Sequence, residues 1–226
     1  MLEETPPLAF APSVSRPPPE LARRFANVPT SFVVDALGGV GALDWRIKPV
    51  AGQSCFGVAL TCDCGPNDNL ALIAAVAESE PGDILVAATG AYTGAAVTGD
   101  LLLGVARNRG VAGFVTDGLV RDLADLIPLE LPIFAMGLTP NSPGRRGPGS
   151  VGLPVVCGGQ PVASGDIVVA DRDGVVVVPQ ARIAETLEKL EAVKAAEAAM
   201  LAKVRGGLRE LPVGGYRRPG KPRDGQ

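Results

Sequence analysis

Two acidic dipeptides contain the side chains of this sequence that are best suited to chemistry. They are Gly99-Asp100 and Arg121-Asp122. Carboxylate oxygens are ligands for Mg2+ and similar hard cations, and the planar guanidinium group of arginine binds carboxylates through paired hydrogen bonds. If the two dipeptides come together, they could bind a divalent cation and a 2-oxo acid side by side.

The 226-residue sequence contains no histidine. This excludes Ser-His and Cys-His nucleophile pairs, histidine general bases, and zinc sites built on imidazole. Acid–base chemistry near neutral pH must therefore use carboxylates, lysine, tyrosine or cysteine, or water polarised by a bound cation.

A predicted helix and the strand after it should bring the two dipeptides together. Asp100 precedes a helical pattern over residues 101–109, and residues 111–116 are typical of a short strand. A helix of roughly ten residues extends about 15 Å, and the strand returns most of that distance at about 3.3 Å per residue. We therefore expect Asp100 and the Arg121-Asp122 pair to meet at the sheet edge where α/β proteins bind ligands.

Each of these residues also has a purely structural interpretation. Asp100 and Asp122 are each placed to cap a helix, which would contribute about 1 kcal/mol apiece. Arg121 could pair with Asp117 or Asp125. What favours ligand binding is the whole set, because two carboxylates, a guanidinium group and the positive end of a helix dipole would converge on one spot.

The order of predicted elements indicates an α/β fold. Helices are predicted at residues 20–26, 30–37, 69–77, 101–109, 121–127 and 181–204, and strands at residues 54–64, 84–88, 111–116, 132–136, 151–156, 160–162, 166–170 and 174–178. The alternation in the first part is typical of a parallel sheet, and the later strands form a β-rich layer. We expect a flexible proline-rich arm (1–19), a single catalytic domain (20–207) and a flexible basic tail (208–226).

Two segments share a turn-to-strand pattern. Pro81-Gly82-Asp83 and Ser164-Gly165-Asp166 each precede a short apolar strand. Two copies do not establish a repeat fold. We therefore interpret the pattern as one local turn used twice.

Charge and hydropathy limit the partners. The 24 acidic and 21 basic side chains give a net charge of −3, so no nucleic-acid-binding face is expected. The N-terminus has Glu3 and Glu4 where a signal peptide needs positive charge, and no segment approaches the roughly 18 apolar residues of a membrane span. We expect a cytoplasmic protein with no membrane partner.

The cysteines lie at positions 55, 62, 64 and 157 and are expected to be thiols in a reducing cytosol. Cys62 and Cys64 lie two apart on a predicted strand, so their side chains point the same way. A metal pair is conceivable there. Without histidine or another nearby cysteine, inert buried thiols are the stronger interpretation.

Around the two dipeptides, the sequence resembles a known family. The segment VTGDLLLGVARNRGVAGFVTDGLVRD is similar to the class II 4-hydroxy-4-methyl-2-oxoglutarate/4-carboxy-4-hydroxy-2-oxoadipate aldolases and to the related regulator of ribonuclease activity A proteins. The similarity continues through PTSFVVDALGG, PGDILVAATG and GDIVVADRDGVVVVP into the C-terminal helix, over residues 28–207. The resemblance implies a swivelling β/β/α-type layered sandwich with a long C-terminal helix, assembled as a homotrimer or as a hexamer of two trimers.

The resemblance also implies catalysis with Mg2+ or Mn2+. In the family pattern, the position of Asp122 holds the metal, and the position of Asp100 helps through water molecules. A glutamate from the C-terminal helix of the adjacent subunit approaches the metal. Glu197 is the candidate for that glutamate, and Glu191 is the second choice.

Substrate contacts are implied in the same way. The position of Arg121 contacts the keto oxygen, and the backbone amides of Leu101 and Leu102, which follow Gly99, take the pyruvate carboxylate. The implied reaction releases pyruvate from 4-hydroxy-4-methyl-2-oxoglutarate or 4-carboxy-4-hydroxy-2-oxoadipate. Oxaloacetate decarboxylation is expected as a second activity, because it passes through the same pyruvate enolate.

Two alternatives stay open. One is a protein that, like the family's ribonuclease regulator, acts by binding the surface of an enzyme. The other keeps the enzyme but changes the substrate, because Arg145 and Arg146 lie in a loop that could reach a distal carboxylate. A solvated basic loop is an equally good interpretation of these two arginines.

Overall fold

The computed structural model describes residues 7–211. The helices are α1 (Pro19–Arg23), α2 (Thr30–Leu37), α3 (Leu70–Glu78), α4 (Asp100–Asn108), α5 (Leu123–Leu126) and α6 (Ile183–Arg205), with 3-10 turns at Ile127–Leu129 and Gln180–Arg182. The strands are β1 (Leu8–Phe10), β2 (Lys48–Ala51), β3 (Cys55–Asp63), β4 (Asp83–Ala88), β5 (Ala96–Thr98), β6 (Gly113–Thr116), β7 (Leu119–Val120), β8 (Ile133–Ala135), β9 (Gly137–Leu138), β10 (Gly149–Val151), β11 (Val155–Cys157), β12 (Gln160–Val162), β13 (Ile167–Asp171) and β14 (Gly174–Val178). Within these residues, no helix has the length and apolar character that crossing a bilayer requires.

A nine-stranded sheet forms the centre of the fold. In its middle, β3, β4, β6 and β8 lie side by side in parallel, as the alternation of helices and strands predicts. Antiparallel strands border this core: β2 pairs with β8, β10 with the end of β3, and β13 with the start of β3. Strand β14 pairs with β13, and β1 lies beyond β10.

Two small sheets complete the strand layers. Strands β5, β7 and β9 form a parallel three-stranded sheet, and β11 and β12 form a hairpin. Strands β5, β7 and β9 are not predicted from the sequence, because two or three residues are too few to show an alternating pattern. Short connections from β4 to β5 and from β6 to β7 place this sheet at the carboxyl ends of β4 and β6.

Side chains of the parallel strands alternate between two apolar clusters. On β4, Leu85 and Ala87 contribute to a cluster with α3, α4 and α5, whereas Ile84 and Val86 contribute to a cluster with β11, β12 and β14. A third cluster packs β13 and β14 against α1, α2 and the first half of α6. This layering confirms the predicted α/β sandwich with its long C-terminal helix.

Only the first half of α6 packs on the domain. Ile183, Thr186, Leu187 and Leu190 are its buried residues. From residue 195 onward the described side chains of α6 are exposed, apart from the half-buried Met200. The second half of the helix therefore has no packing partner in the part of the chain that the structure describes.

Two predicted segments differ from the observed elements. The strand predicted at residues 151–156 is divided into β10 and β11, because Gly152 adopts a φ of 79° and Pro154 cannot donate to a ladder. The helix predicted at residues 121–127 begins only at Leu123, because Asp122 has a left-handed backbone (φ 64°, ψ 42°).

The described part of the proline-rich segment lies on the domain instead of forming a loose arm. Strand β1 pairs in parallel with β10. Further along, the guanidinium of Arg16 donates to both carboxylate oxygens of Asp83 at 3.0 and 2.9 Å and pairs with Glu80 at 3.1 Å. Sequence reasoning missed these contacts because both partners of Arg16 are distant along the chain. Residues 1–6 and 212–226, the outer parts of the predicted arm and tail, lie outside the described residues.

The repeated turn-to-strand pattern is one turn with the same internal hydrogen bonds. In each copy the glycine has a positive φ, 91° at Gly82 and 99° at Gly165. Oδ2 of Asp83 accepts the N–H three residues earlier at 2.9 Å, and Oδ2 of Asp166 does the same at 2.9 Å. Both aspartates are buried. The common local turn that we predicted is confirmed.

Candidate functional site

The small parallel sheet brings the two dipeptides together. Strands β5 and β7 pair with Thr98 opposite Val120, and the N–H of Arg121 donates to the carbonyl of Thr98 at 3.1 Å. Gly99 and Arg121, the residues that follow these strands, are therefore neighbours. The predicted meeting is observed, but β7 delivers Arg121 rather than the strand at residues 111–116.

Asp122 lies directly against Gly99. A Cβ atom built on Gly99 would come within 2.1 Å of Oδ2 of Asp122 and 3.0 Å of Cγ of Arg121. The left-handed backbone of Asp122 is one that aspartate tolerates better than most residues. The site thus requires a residue without a side chain at position 99 and a short polar side chain at position 122.

The guanidinium of Arg121 is held at two positions. Its Nε donates to Oδ2 of Asp122 at 3.1 Å, and its Nη1 donates to the hydroxyl of Ser142. Neither Asp117 nor Asp125, the partners considered from the sequence, pairs with it. The Asp117 carboxylate instead accepts from the backbone of residues 89 and 91. About one third of each side chain of the Arg121–Asp122 pair is exposed, so both remain accessible to a ligand.

The start of α4 borders this pair. Gly99 is the N-cap residue, and neither Asp100 nor Asp122 makes a side-chain capping bond within the described residues. The capping interpretation is therefore wrong for both carboxylates. Leu101 and Leu102 lie in the first turn, where helix N–H groups have no intrahelical acceptor and carry the positive end of the helix dipole. Two N–H groups are available there for an anion.

The side chains at the site suit a hard cation that is bound by few protein ligands. Within residues 7–211, no group of three or more Cys, Asp or Glu side chains is arranged to hold a metal. Mg2+ commonly keeps several waters and takes only one or two protein carboxylates. Asp122, which lies against Gly99, and Asp100, which follows Gly99 in the sequence, could supply that number. Among described atoms, Oδ1 of Asp122 has no hydrogen-bond partner, so it is available as a ligand atom.

The cysteine pair is buried in the core. Sγ of Cys62 lies 3.9 Å from Sγ of Cys64, and both residues are inaccessible to solvent. The hydrogen bond between the thiols, together with burial, holds the pKa of Cys62 well above its ordinary value. The thiolate form that a metal needs is therefore disfavoured, which supports the interpretation as buried thiols.

A strap formed by residues 139–147 passes beside the site, and sequence reasoning did not assign it a role. Near its middle, Gly144 donates to the carbonyl of Asn67 at 2.7 Å and accepts from the N–H of Asn69 at 3.1 Å. Asp68 ties the strap to the start of α3, because Oδ1 accepts from Leu70 at 2.8 Å and Oδ2 from the N–H of Arg146 at 2.6 Å. The strap explains how an irregular segment can have a defined position next to Arg121.

Near the site, the side chain of Asn69 has one polar atom without a hydrogen-bond partner among the described residues. Its Nδ2 donates to the carbonyl of Val97 at 3.0 Å, two residues before Gly99. Its Oδ1 is buried and has no partner among the described residues. A buried amide oxygen of this kind favours a donor such as a bound water.

The glutamates implied by the family resemblance lie elsewhere on the chain. Glu197 is on the unpacked half of α6, and Glu191 is exposed on the same helix and paired with Lys194 at 3.1 Å. The packed face of α6 contacts α2 in the third apolar cluster, whereas the site adjoins α4 and α5. Within one chain, the structure does not bring either glutamate to Asp122.

Arg145 and Arg146 are exposed on the strap. The backbone of Arg146 is fixed by Asp68, and Ser142, earlier on the same strap, contacts Arg121. The two arginines therefore lie only a few residues after Ser142, which contacts Arg121.

A cavity of about 1000 Å³ lies at the amino ends of β4 and β6, away from this site. Asp83 and Asp171, which line the cavity, already have hydrogen-bond partners. Asp83 accepts from Arg16, and Asp171 accepts from the N–H and the hydroxyl of Thr30 at 2.8 and 2.7 Å. Burial raises the pKa of Cys55, which also lines it, to about 12. These groups have structural roles, so the candidate site remains at Gly99 and Arg121-Asp122.

A family model described as RraA-like, Aldolase/RraA, matches residues 30–177. The chain belongs to this family. Over 167 residues it is 38% identical to a Halalkalibacterium halodurans protein named "Putative 4-hydroxy-4-methyl-2-oxoglutarate aldolase", which covers 74% of this chain and 80% of that protein. The matched residues include all of the candidate site except the helix glutamates.

Solved structures of RraA proteins share the fold. Streptomyces coelicolor RraAS2, described as an unusual member of the RNase ES inhibitor RraA protein family, has a TM-score of 0.73 at 29% identity, over 84% of this chain and 100% of that one. The RNA-processing inhibitor RraA of Thermus thermophilus has a TM-score of 0.63 at 27% identity, over 68% and 94%. The family therefore contains proteins described as aldolases and proteins described as inhibitors of RNA processing.

Replacing Gly99 by alanine should displace the Asp122 carboxylate. The added methyl group cannot occupy the same space as Oδ2, and the partly exposed carboxylate can move into solvent, so we expect the free energy of unfolding to change by less than about 1 kcal/mol. Affinity for Mn2+, measured by titration calorimetry, should fall about 10- to 100-fold.

Gly104→Ala, on the same helix, is the matched control. A Cβ there would meet only Cδ2 of Leu129 at 3.8 Å, and Mn2+ affinity should be retained. A crystal structure of Gly99→Ala in which Asp122 keeps its position would contradict this account.

The stabilisation that Asp68 gives to the strap should depend on pH. Partial burial raises the pKa of Asp68, but backbone N–H groups of Arg146, Leu70, Gly147 and Asn69 outweigh it and hold the pKa below its ordinary value of 3.8. The stabilisation should be complete above about pH 5, beyond the unfolded pKa near 3.9, and should disappear as pH falls through the lower folded pKa.

The measurement is the difference in unfolding free energy between the wild type and Asp68→Asn at several pH values. We expect the wild type to be more stable at pH 7 and the difference to shrink in acid. A difference that stays constant between pH 7 and pH 2 would show that the Asp68 carboxylate does not stabilise the strap through its charge.

Proposed function

We propose that this protein is a divalent-metal-dependent aldolase that releases pyruvate from 4-hydroxy-4-methyl-2-oxoglutarate or 4-carboxy-4-hydroxy-2-oxoadipate. The observation that carries the proposal is the packing of the Arg121–Asp122 pair against Gly99 at the start of α4. The aldolase-named relative supports the same activity. Oxaloacetate decarboxylation is proposed as a side activity, because both reactions pass through the enolate of pyruvate.

Mg2+ or Mn2+ is the proposed cofactor, with Asp122 and Asp100 as its protein ligands. When bound, the cation would polarise the keto group and stabilise developing negative charge on its oxygen. The oxygen-only donor set suits these hard cations better than softer metals. The available Oδ1 of Asp122 is the ligand atom we assign first.

The chain's own groups would bind and orient the oxo acid. The N–H groups of Leu101 and Leu102 would donate to the carboxylate, where the helix dipole favours an anion. Arg121 would donate to the keto oxygen, which gains negative charge as the carbon–carbon bond breaks and its electrons enter the enolate. Since the sequence has no histidine, Asp100 is the carboxylate proposed to hold water for proton transfer.

We further propose a homotrimer, or a hexamer of two trimers, in which Glu197 of one subunit completes the site of the next. Apolar side chains beside the site are exposed: Leu101 (80%), Val105 (50%), Leu123 (36%), Ile127 (59%) and Leu138 (47%). Leu201 and Val204, on the unpacked half of α6, are also about half exposed. Exposed apolar groups on both surfaces favour burial between subunits. Glu191 is the second candidate for the shared glutamate.

An inhibitor of RNA processing is the second candidate function. Two structural relatives are described in such terms, and the same exposed apolar groups could contact a ribonuclease. Arg145 and Arg146 are exposed and would be surface charges in the inhibitor, whereas in the enzyme they could reach a distal substrate carboxylate. Release of pyruvate, followed with lactate dehydrogenase and NADH, separates the two functions.

Asp122→Ala should abolish pyruvate release, with at least a 1000-fold fall in kcat/KM, because both the metal ligand and the partner of Arg121 are lost. The wild-type activity should disappear in EDTA and return with Mg2+ or Mn2+. Asp35→Ala, which removes an exposed carboxylate from α2, should be unchanged. Wild-type turnover by Asp122→Ala would remove Asp122 from the mechanism, and inactivity of the wild type on every 2-oxo acid tested would favour the inhibitor.

Subunit mixing tests the shared site. Glu197→Ala and Asp122→Ala should each be inactive alone, whereas refolded mixtures should regain part of the activity, because some sites then contain Asp122 from one subunit and Glu197 from another. Light scattering should give a mass three or six times the 23.0 kDa of the chain. No recovery from mixtures that do form mixed oligomers would contradict the role of Glu197.

A further inference from the structure

Arg121 presents one nitrogen of its guanidinium group without a partner. Nε is bonded to Asp122 and Nη1 to Ser142, whereas Nη2 makes no hydrogen bond or ion pair with any residue from 7 to 211. Both N–H groups of Nη2 are therefore open to a ligand. Their direction is set by the two contacts on the other nitrogens, because a guanidinium group is planar and rigid.

The contact with Ser142 is held in place by the rest of the strap. Immediately before it, the carbonyl of Asn141 accepts from Ala96 at 2.9 Å and the Asn141 side chain donates to the carbonyl of Gly94 at 2.9 Å. Two residues after it, Gly144 is fixed at both its N–H and its carbonyl by the backbone at the start of α3. The hydroxyl of Ser142 thus has a fixed backbone on both sides although the residue itself is exposed.

We propose that Ser142 is a positioning residue: its hydroxyl fixes the plane of the Arg121 guanidinium so that Nη2 faces the oxo acid bound at the start of α4. The proposal rests on the proposed function. The arginine side chain has four rotatable bonds and is about one third exposed, so the Asp122 contact alone leaves it free to pivot about Nε. Ser142 removes that freedom before the substrate arrives, which lowers the entropic cost of orientation.

This role differs from a contribution to folding. A single hydrogen bond at an exposed surface adds little to stability, and no buried group loses its partner when the Ser142 hydroxyl is removed. A misoriented Arg121 instead affects the step in which charge develops on the keto oxygen. The effect of Ser142 is therefore expected in kcat more than in KM or in the free energy of unfolding.

The experiment compares Ser142→Ala with Ser142→Thr in the full-length protein, with Ser31→Ala on the exposed face of α2 as the control. Ser142→Ala should lower kcat about 10-fold or more, which corresponds to the loss of one hydrogen bond to a charged group. KM and the Mg2+ concentration for half-maximal activity should change less than about twofold. The thermal midpoint of unfolding should change by less than about 2 °C. Ser142→Thr keeps the hydroxyl and should restore kcat to within about threefold of the wild type.

A double variant tests whether Ser142 acts through Arg121. Lysine has no Nη1, so Ser142→Ala should have almost no further effect in an Arg121→Lys background. Independent, multiplicative losses would overturn the proposal, as would an unchanged kcat in Ser142→Ala alone.

A structural readout keeps the test independent of the proposed activity. Crystal structures should show the plane of the Arg121 guanidinium turned about Nε, or disordered, in Ser142→Ala but not in Ser142→Thr. If the wild type releases no pyruvate, the proposed function fails, and the orientation of the guanidinium alone then decides whether Ser142 positions Arg121. A guanidinium that keeps its plane and the direction of Nη2 in the alanine variant would refute the positioning role.

Discussion

The candidate site depends on the parallel pairing of β5 with β7. These strands are three and two residues long, yet their pairing places Gly99 beside Arg121 and leaves Asp122 in contact with the Cα position of Gly99. A shift of one residue in this pairing would turn the following side chains away from each other. The main sheet fixes the pairing from outside, because both strands follow directly from the carboxyl ends of β4 and β6.

The site contains few charged groups within one chain. One chain supplies two carboxylates, one guanidinium and a helix start, and no described cluster resembles a metal cage. The buried carboxylates of Asp117, Asp83 and Asp166 accept hydrogen bonds from backbone N–H groups or from Arg16. These three carboxylates therefore have structural roles. Within the described residues, the Asp100 side chain makes no hydrogen bond or ion pair and Asp122 pairs only with Arg121, so both carboxylates keep oxygens for a ligand.

Membership of the Aldolase/RraA family connects this fold with two kinds of activity, and the geometry explains how both can arise. The strap and the start of α4 lie beside the Arg121–Asp122 pair, and the exposed apolar residues of α4, α5 and β9 form a surface suited to protein contacts. A protein on this scaffold could keep the surface and lose the chemistry. The Arg121–Asp122 contact and the open Oδ1 of Asp122 are the features on which the proposed aldolase activity rests.

The sequence by itself predicts the central elements and the two dipeptides of the candidate site, but not the strap beside them. Apolar segments such as residues 84–88 and the helical pattern at residues 101–109 predict β4 and α4 closely, because local hydrophobic patterns are strong over five or more residues. The absence of histidine excludes imidazole chemistry, and the two dipeptides point to carboxylates and a guanidinium acting with a cation. The turn shared by Asp83 and Asp166 was also readable, since its hydrogen bonds are local.

Tertiary structure decided how the site is held together. Strands β5, β7 and β9 are too short for any pattern, and the contacts of Ser142 with Arg121 and of Asp68 with Arg146 join residues 21 and 78 positions apart. Such contacts exist only after the sheet has brought distant segments together, so no local rule predicts them. The same reason applies to the contact of Arg16. Its proline-rich surroundings indicate a loose arm, but Arg16 pairs with Asp83, 67 positions away in the sequence.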